Sequence, residues 1–114
     1  MNDEVIGVYV KLKIKNIDSG WSEFIKSIVS KVNDLGTLSL YEYYVRENII
    51  DLHERFHNNE SWIKHIEYFG TNIAEDFFNH FEIEQFNVYG KVNDQVKELL
   101  VDFKPVYYNI IAKI

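Results

Sequence analysis

The chain has 114 residues, of which 46% are hydrophobic and 16% aromatic, a composition that excludes a disordered protein and supports one packed domain over residues 1–114. It contains no cysteine, which excludes disulfides, thiolate metal ligands and a cysteine nucleophile. Its net charge of −6 and its scattered lysines argue against nucleic acid as a partner.

The first fifteen residues, MNDEVIGVYVKLKIK, predict a β-strand in a cytoplasmic protein. Acidic residues stand where a signal peptide would carry positive charge, and no segment approaches the roughly eighteen apolar residues of a membrane span. From Ile6 to Ile14, apolar residues alternate with Tyr9 and with lysines, which is the period of a strand buried on one face. The lysines then share the other face, which we expect to be solvated.

The middle of the chain predicts a helix and a β-hairpin. Apolar residues recur at helical spacing from Trp21 to Leu35, with Asp18 or Ser19 as the N-terminal cap and Gly36 at the end. Residues 37–45 and 49–56 are rich in β-branched and aromatic types and are joined by a short connection, which is typical of a hairpin.

The second half predicts helices around one more strand. Residues 57–70, HNNESWIKHIEYFG, indicate a helix that is capped by Asn58 or Asn59 and ends at Gly70, with another turn or two of helix to follow. Residues 82–89 form the next strand, and Asn93 caps a short helix that stops before Pro105. We expect the remaining tail to be extended, either as an extra strand of its own monomer or as a strand that crosses to a second subunit.

The order of these elements predicts an α+β, ferredoxin-like fold. In the β-α-β-β-α-β arrangement an antiparallel sheet carries its helices on one face, and here a C-terminal helix and an extended tail are added. Both faces of the second strand carry apolar or aromatic residues, so the face left open by the helices needs a second cover. Two-fold dimers are the commonest oligomers, and we therefore expect a homodimer through the open sheet face.

Three segments resemble the antibiotic biosynthesis monooxygenase (ABM)-like domains of the dimeric α/β-barrel superfamily. They are the hairpin TLSLYEYYVRENIIDLHERF, the following NNESWIKHI, and the later IEQFNVYG. The resemblance runs from the first strand to Gly90 and is carried by the aromatic second strand, the run from Glu54 to Phe56, and His65. It implies a dimeric α/β barrel.

The same resemblance implies a cofactor-independent monooxygenase that acts on a small aromatic or quinol-type substrate. The alternative is a non-catalytic ligand-binding or interaction domain of the same fold. The superfamily also includes haem-degrading proteins, but their characteristic Asn, Trp and His cannot be placed together in this sequence. We therefore expect neither haem nor another cofactor.

Glu54 is the first candidate catalytic residue. Strand alternation places its carboxylate on the face of Ile50, Leu52 and Phe56, where a charged group is either paired or functional. As a paired group it would form a salt bridge or a hydrogen bond to a tyrosine hydroxyl or the backbone. As a functional group it would be a general base toward a phenol or quinol hydroxyl.

His65 is the second candidate catalytic residue. It shares a helix side with Trp62 and Phe69, where an imidazole can accept a substrate proton near neutral pH. The alternative is a hydrogen-bonded core histidine.

An aromatic set is expected to line a cavity for a flat substrate, although ordinary core packing explains the same pattern. The candidate substrate-binding residues are Tyr44, Phe56, Trp62 and Phe69, and Tyr41, Tyr43, Phe77 and Phe78 belong to the same set. His53 and His57 are expected on the face opposite Glu54, at the surface or a dimer interface. No metal site is predicted, because no cluster of ligands is complete.

Overall fold

The computed structural model describes residues 5–112 of the chain. The strand at the centre of its sheet is β1 (Ile6–Ile14). β1 pairs antiparallel with β3 (Ile49–Phe56) on one side and with β4 (Phe81–Tyr89) on the other. β2 (Leu38–Arg46) pairs with the far side of β3, giving the order β2-β3-β1-β4 before a fifth, short strand. This order confirms the predicted ferredoxin-like sheet.

Four helices cover one face of this sheet within the described residues. They are α1 (Trp21–Asn33), α2 (Asn59–Asn72), α3 (Ala74–His80) and α4 (Asp94–Leu99), and a 3-10 turn (Val101–Phe103) follows α4. Their buried side chains join the inward residues of β1 and β3 in one hydrophobic core, which confirms the prediction of helices on a single face. Over residues 5–112, no helix has the length and apolar character that a bilayer crossing requires.

Two of the predicted helix caps are present. The side chain of Asn58 accepts a hydrogen bond of 2.8 Å from the backbone N–H of Ser61 at the start of α2. The side chain of Asn93 does the same for Val96 in α4, at 3.0 Å. Each bond satisfies a donor that the first turn of a helix leaves free.

The predicted cap of α1 is wrong, since the helix begins after Gly20 without a side-chain cap. Asn16 accepts a hydrogen bond from the backbone of Asp18 at 3.0 Å, which holds Asp18 in a turn before the helix. The hydroxyl of Ser19 pairs instead with His80, at 3.1 Å. The predicted end of α2 at Gly70 is also corrected, because the helix continues to Asn72.

The tail adds a strand to its own monomer. β5 (Val106–Tyr108) runs parallel to β4, and the backbone N–H of Gly90 donates to the carbonyl of Tyr108 at 3.0 Å. The rings of Tyr89 and Tyr108 stack at 5.0 Å. Of the two predicted arrangements, the extra strand is therefore the one that residues 106–108 adopt. Ile114, the last residue of the predicted alternation, lies outside the described residues.

The open face of the sheet is more polar than an ordinary hydrophobic interface. It carries Tyr9, Lys11, Glu42, Tyr44, Asp51, His53 and Tyr89, as the strand registers place them. The hydroxyl of Tyr9 donates to the carboxylate of Asp51 at 2.5 Å, which joins two neighbouring strands across this face. Tyrosines among charged residues suit a partly wet protein interface, and the homodimer stays a prediction.

Candidate active site

A cavity of about 90 Å³ lies between the sheet, α2, α3 and the chain that follows α4. Most of its wall is aromatic and is supplied by Trp62, Phe69, Phe77, Phe78, Phe86 and Phe103. Four polar side chains also line it, which are Tyr41, Tyr43, Glu54 and His65. An apolar cavity with a few converging polar groups is the usual form of a small-molecule site.

Glu54 and His65, the two predicted catalytic residues, meet in this wall. Alternation along β3 turns Glu54 inward, and the end of the second turn of α2 brings His65 over it. The Nε2 atom of His65 is 3.4 Å from the Oε2 atom of Glu54, and both side chains are buried. Within the described structure, Nδ1 of His65 has no hydrogen-bond partner. His65 therefore uses one ring nitrogen in the contact with Glu54, and its other ring nitrogen is buried without a partner in the described structure.

A second polar pair is formed by two tyrosines of β2. The hydroxyl oxygens of Tyr41 and Tyr43 are 2.6 Å apart, so one hydroxyl donates to the other. Burial raises the pKa of Tyr43, and it raises that of Tyr41 well above the usual value, with further contributions from the neighbouring Tyr43 hydroxyl and from Glu54. Both groups therefore stay protonated at neutral pH. Because only one proton joins the pair, the other is available to an oxygen atom of a ligand.

The predicted aromatic residues fall into two positions around these pairs. Trp62 and Phe69 line the cavity itself. Phe56 lies behind it, fully buried, where its ring stacks on Trp62 at 5.2 Å and meets the ring of His65 edge-on at 4.9 Å. Phe56 therefore packs against the imidazole and is not among the residues that line the cavity.

Tyr44 is the predicted site residue that the structure does not bring to the cavity. It lies on the open face of the sheet, 55% exposed, and its hydroxyl donates to Glu42 at 2.7 Å. A step of one residue along a strand moves a side chain to the other face, so Tyr43 lines the cavity and Tyr44 cannot. The predicted substrate-binding role of Tyr44 does not agree with this position.

His53 lies on the open face, as predicted, and His57 is exposed just beyond β3. The ring of His53 packs against those of Tyr9 and Tyr44, at 5.3 and 5.9 Å. Across residues 5–112, no three or more His, Cys, Asp or Glu side chains are grouped in a way that could hold a metal ion.

Two features of the site were not predicted. The hydroxyl contact between Tyr41 and Tyr43 had a signal in the sequence, since both lie on one face of β2 and Tyr41 pairs with Glu54 across the hairpin. No pattern in the sequence indicated that Phe86 and Phe103 line the cavity. Their approach depends on a register shift between β1 and β4 and on the path of the chain after α4.

Comparisons with known proteins support the fold. No family model matches the chain, and no curated protein is significantly similar to it in sequence. The crystal structure of MupZ from Pseudomonas fluorescens superposes with a TM-score of 0.88, at 11% identity, over 100% of this chain and 91% of that one. A structural-genomics protein, YJCS, gives a TM-score of 0.59 at 21% identity, over 79% of this chain and 100% of its own. Such low identities establish the fold alone, and that fold is consistent with the ABM-like resemblance.

Proposed function

We propose that this domain binds a small aromatic phenol or quinol in the cavity and oxidises it with molecular oxygen, without a resident cofactor. The observation that carries the proposal is the buried contact between Glu54 and His65 in the wall of an aromatic cavity. A buried carboxylate–imidazole pair is a common device for general base catalysis, and an aromatic wall suits a flat ring.

The size of the cavity favours a substrate with one ring. Its volume of about 90 Å³ is below the roughly 150 Å³ of an engineered apolar cavity that binds benzene. A single ring therefore enters with a modest outward movement of the wall, whereas a fused polycyclic compound needs a much larger one. The substrate class that fits best is a phenol or quinol with one ring.

The substrate oxygen is placed by the two polar pairs. The free proton of the pair formed by Tyr41 and Tyr43 is donated to the phenol oxygen, and the unpartnered Nδ1 of His65 accepts the phenol proton. Glu54, at Nε2 of the same ring, stabilises the imidazolium that forms. These groups together favour the phenolate, which is the electron-rich form of the substrate.

Oxidation then follows from the chemistry of that anion. In a phenol that carries hydrogen at the ring carbon opposite the oxygen, the phenolate gives an electron to O₂, the two radicals join at that carbon, and the resulting hydroperoxide loses water to leave a quinone. One oxygen atom enters the product and the other leaves in water, together with the phenol hydrogen and the hydrogen of that ring carbon. The dry aromatic wall limits side reactions of the intermediates.

Oxygen uptake by the purified protein tests this function. We would supply one-ring phenols and quinols under air and follow uptake with an oxygen electrode and the quinone by absorbance. Uptake that falls to background in Glu54→Ala and in His65→Ala is the expected result. No uptake above these variants with any member of the series overturns the oxidation.

The second candidate function is ligand binding without chemistry, which the apolar wall supports by itself. It is distinguished by calorimetry with the same compounds under nitrogen. Saturable binding together with no oxygen uptake assigns the domain to this class.

We also propose that the domain acts in the cytoplasm as a homodimer that pairs through the open sheet face. The support is the composition of that face, where Tyr9, Tyr44 and Tyr89 stand among charged residues on an otherwise uncovered sheet.

A further inference from the structure

One part of the cavity wall differs from the rest in its exposure. The residues that line the cavity are buried or half-buried, with the exception of Phe103, which is 39% exposed. Phe103 therefore touches the interior with one side of its ring and solvent with the other. A wall residue of this kind stands between a bound molecule and bulk water.

The backbone that carries Phe103 is held by few interactions. It ends the 3-10 turn, where the N–H of Phe103 donates to Leu100 at 2.9 Å and that of Lys104 to Val101 at 3.3 Å. Both bonds are local. Lys104 has a φ angle of 50°, a left-handed conformation that a residue with a side chain adopts at a cost.

The chain is anchored on both sides of this turn. Leu100 is 4% exposed and belongs to the core, and Tyr108 is tied to Gly90 by a backbone hydrogen bond. Between these anchors, Val101 to Lys104 are all exposed. Segments with few buried contacts open more readily than core strands and helices. The turn can therefore move without disturbing the sheet.

The ring of Phe103 is held inward by two other rings. It stacks on Phe78 at 6.1 Å and lies 6.2 Å from the ring of Phe86. These contacts are apolar and undirected, so a ligand ring can replace Phe103 against the same two partners. The exchange keeps the aromatic surface of the cavity covered.

We propose that Phe103 is the gate of the cavity and sets the size of the aromatic ligand that it admits. The rest of the wall is packed in the core and resists expansion. Phe103 is therefore the residue that moves when a ring larger than the cavity enters. This inference rests on the binding part of the proposed function and does not depend on the oxidation.

The test compares binding of phenol and of 1-naphthol under nitrogen, so that oxidation plays no part. Binding is followed by calorimetry in the parent protein, in Phe103→Ala and in Phe103→Trp, with Val101→Ala as the control. Val101 belongs to the same turn, is 64% exposed and does not line the cavity. In Phe103→Ala we expect the affinity for naphthol relative to phenol to rise about tenfold or more, because hydrophobic volume becomes free. Phe103→Trp should weaken binding of both.

A measurement without ligand supports the same test. Trp62 lines the cavity and is 2% exposed, so quenching of its fluorescence by acrylamide reports access to the interior. In a Trp21→Phe background, Phe103→Ala should increase this quenching while Val101→Ala leaves it unchanged. The proposal is overturned if circular dichroism shows a folded Phe103→Ala protein in which neither the ligand preference nor the quenching differs from Val101→Ala. A changed preference without oxygen uptake would reject the oxidation and keep the gate.

Discussion

Tyr41 lies directly opposite Glu54 in the register of β2 and β3. This cross-strand position places the tyrosine pair beside the carboxylate–imidazole pair. Glu54 contributes, after burial and the neighbouring Tyr43 hydroxyl, to the raised pKa of Tyr41. Four polar groups in one apolar cavity therefore influence one another, and we expect the effects of substituting them to be non-additive.

The carboxylate of Glu54 is predicted to be essential for activity. Glu54→Gln keeps the size of the side chain but removes the charge that stabilises a protonated His65, and oxygen uptake should fall by about 100-fold or more. Glu67→Gln is the matched control, because Glu67 is exposed on α2 and does not line the cavity. Equal rates in the two variants would contradict the role of Glu54.

The stability of the protein is predicted to fall at alkaline pH. Burial is the largest cause that raises the pKa of Tyr9, to about 12, and those of Tyr41 and Tyr43. In the unfolded chain a tyrosine has a pKa of about 10. Below that pH both states keep the proton, and above it the unfolded state loses protons that the folded state retains. Stability is therefore full below pH about 10 and decreases as the pH rises toward the folded values.

Urea denaturation between pH 8 and 11.5, values set around the tyrosine pKa of about 10, measures this effect. A double variant with Tyr41→Phe and Tyr43→Phe should lose stability less steeply above pH about 10, since it lacks two of the shifted groups. The difference in free energy of unfolding between the parent and the double variant below pH about 9 provides the internal reference. If the free energy of unfolding falls equally steeply with pH in both proteins above pH about 10, the two hydroxyls do not contribute to the alkaline loss of stability.

The side chain of Asn59 is predicted to contribute more to the free energy of unfolding than that of its neighbour Asn58. Its buried side chain donates to the carbonyl of Lys91 at 3.1 Å and accepts from the N–H of Asn93 at 2.9 Å, so it ties α2 to the loop after β4. Asn59→Ala leaves both backbone groups without this partner and should cost about 2 kcal/mol or more. Asn58→Ala removes one helix cap and should cost about 1 kcal/mol.

Chemical denaturation of the two single variants at neutral pH decides between these values. Because the residues are adjacent and of the same type, differences in composition cancel. A smaller loss for Asn59→Ala than for Asn58→Ala would mean that the tie between α2 and the loop contributes little.

The open sheet face is predicted to form the dimer interface. Tyr44 is 55% exposed on this face, and Tyr44→Lys would place a charge in a buried interface, at a high cost in desolvation. Light scattering at micromolar protein should show a dimer for the parent and a shift toward monomer for the variant. Glu67→Lys, at an exposed position of α2, is the control that should remain dimeric. A monomeric parent protein would overturn the dimer.

The positions of Glu54 and His65 were accessible from the sequence because each rests on an unbroken local period. Alternation along β3 is regular from Ile49 to Phe56, so the inward face of Glu54 follows from its neighbours. His65 shares its helix face with Trp62, which is buried. Where one period holds through a whole element, the sequence determines which side chains point inward.

The choice between Tyr43 and Tyr44 was not accessible in the same way. Both faces of β2 carry aromatic residues, so the pattern alone does not say which face meets the helices. The pairing with β3 decides it, because Tyr43 stands opposite the buried Leu52 and Tyr44 opposite Asp51. The position of Phe103 in the cavity wall was harder still to predict from the sequence. Its contact with the cavity arises from tertiary packing of a short turn that has no periodicity.

The order of the site residues along the chain separates two properties of the cavity. Tyr41, Tyr43, Glu54 and His65 all belong to the hairpin and α2, whereas much of the remaining aromatic wall comes from α3, β4 and the 3-10 turn. Changes in the C-terminal part can therefore alter the shape of the cavity and leave its four polar side chains in place. New ligand preferences can arise in this fold by variation of the last third of the chain, with the hairpin and α2 inherited unchanged.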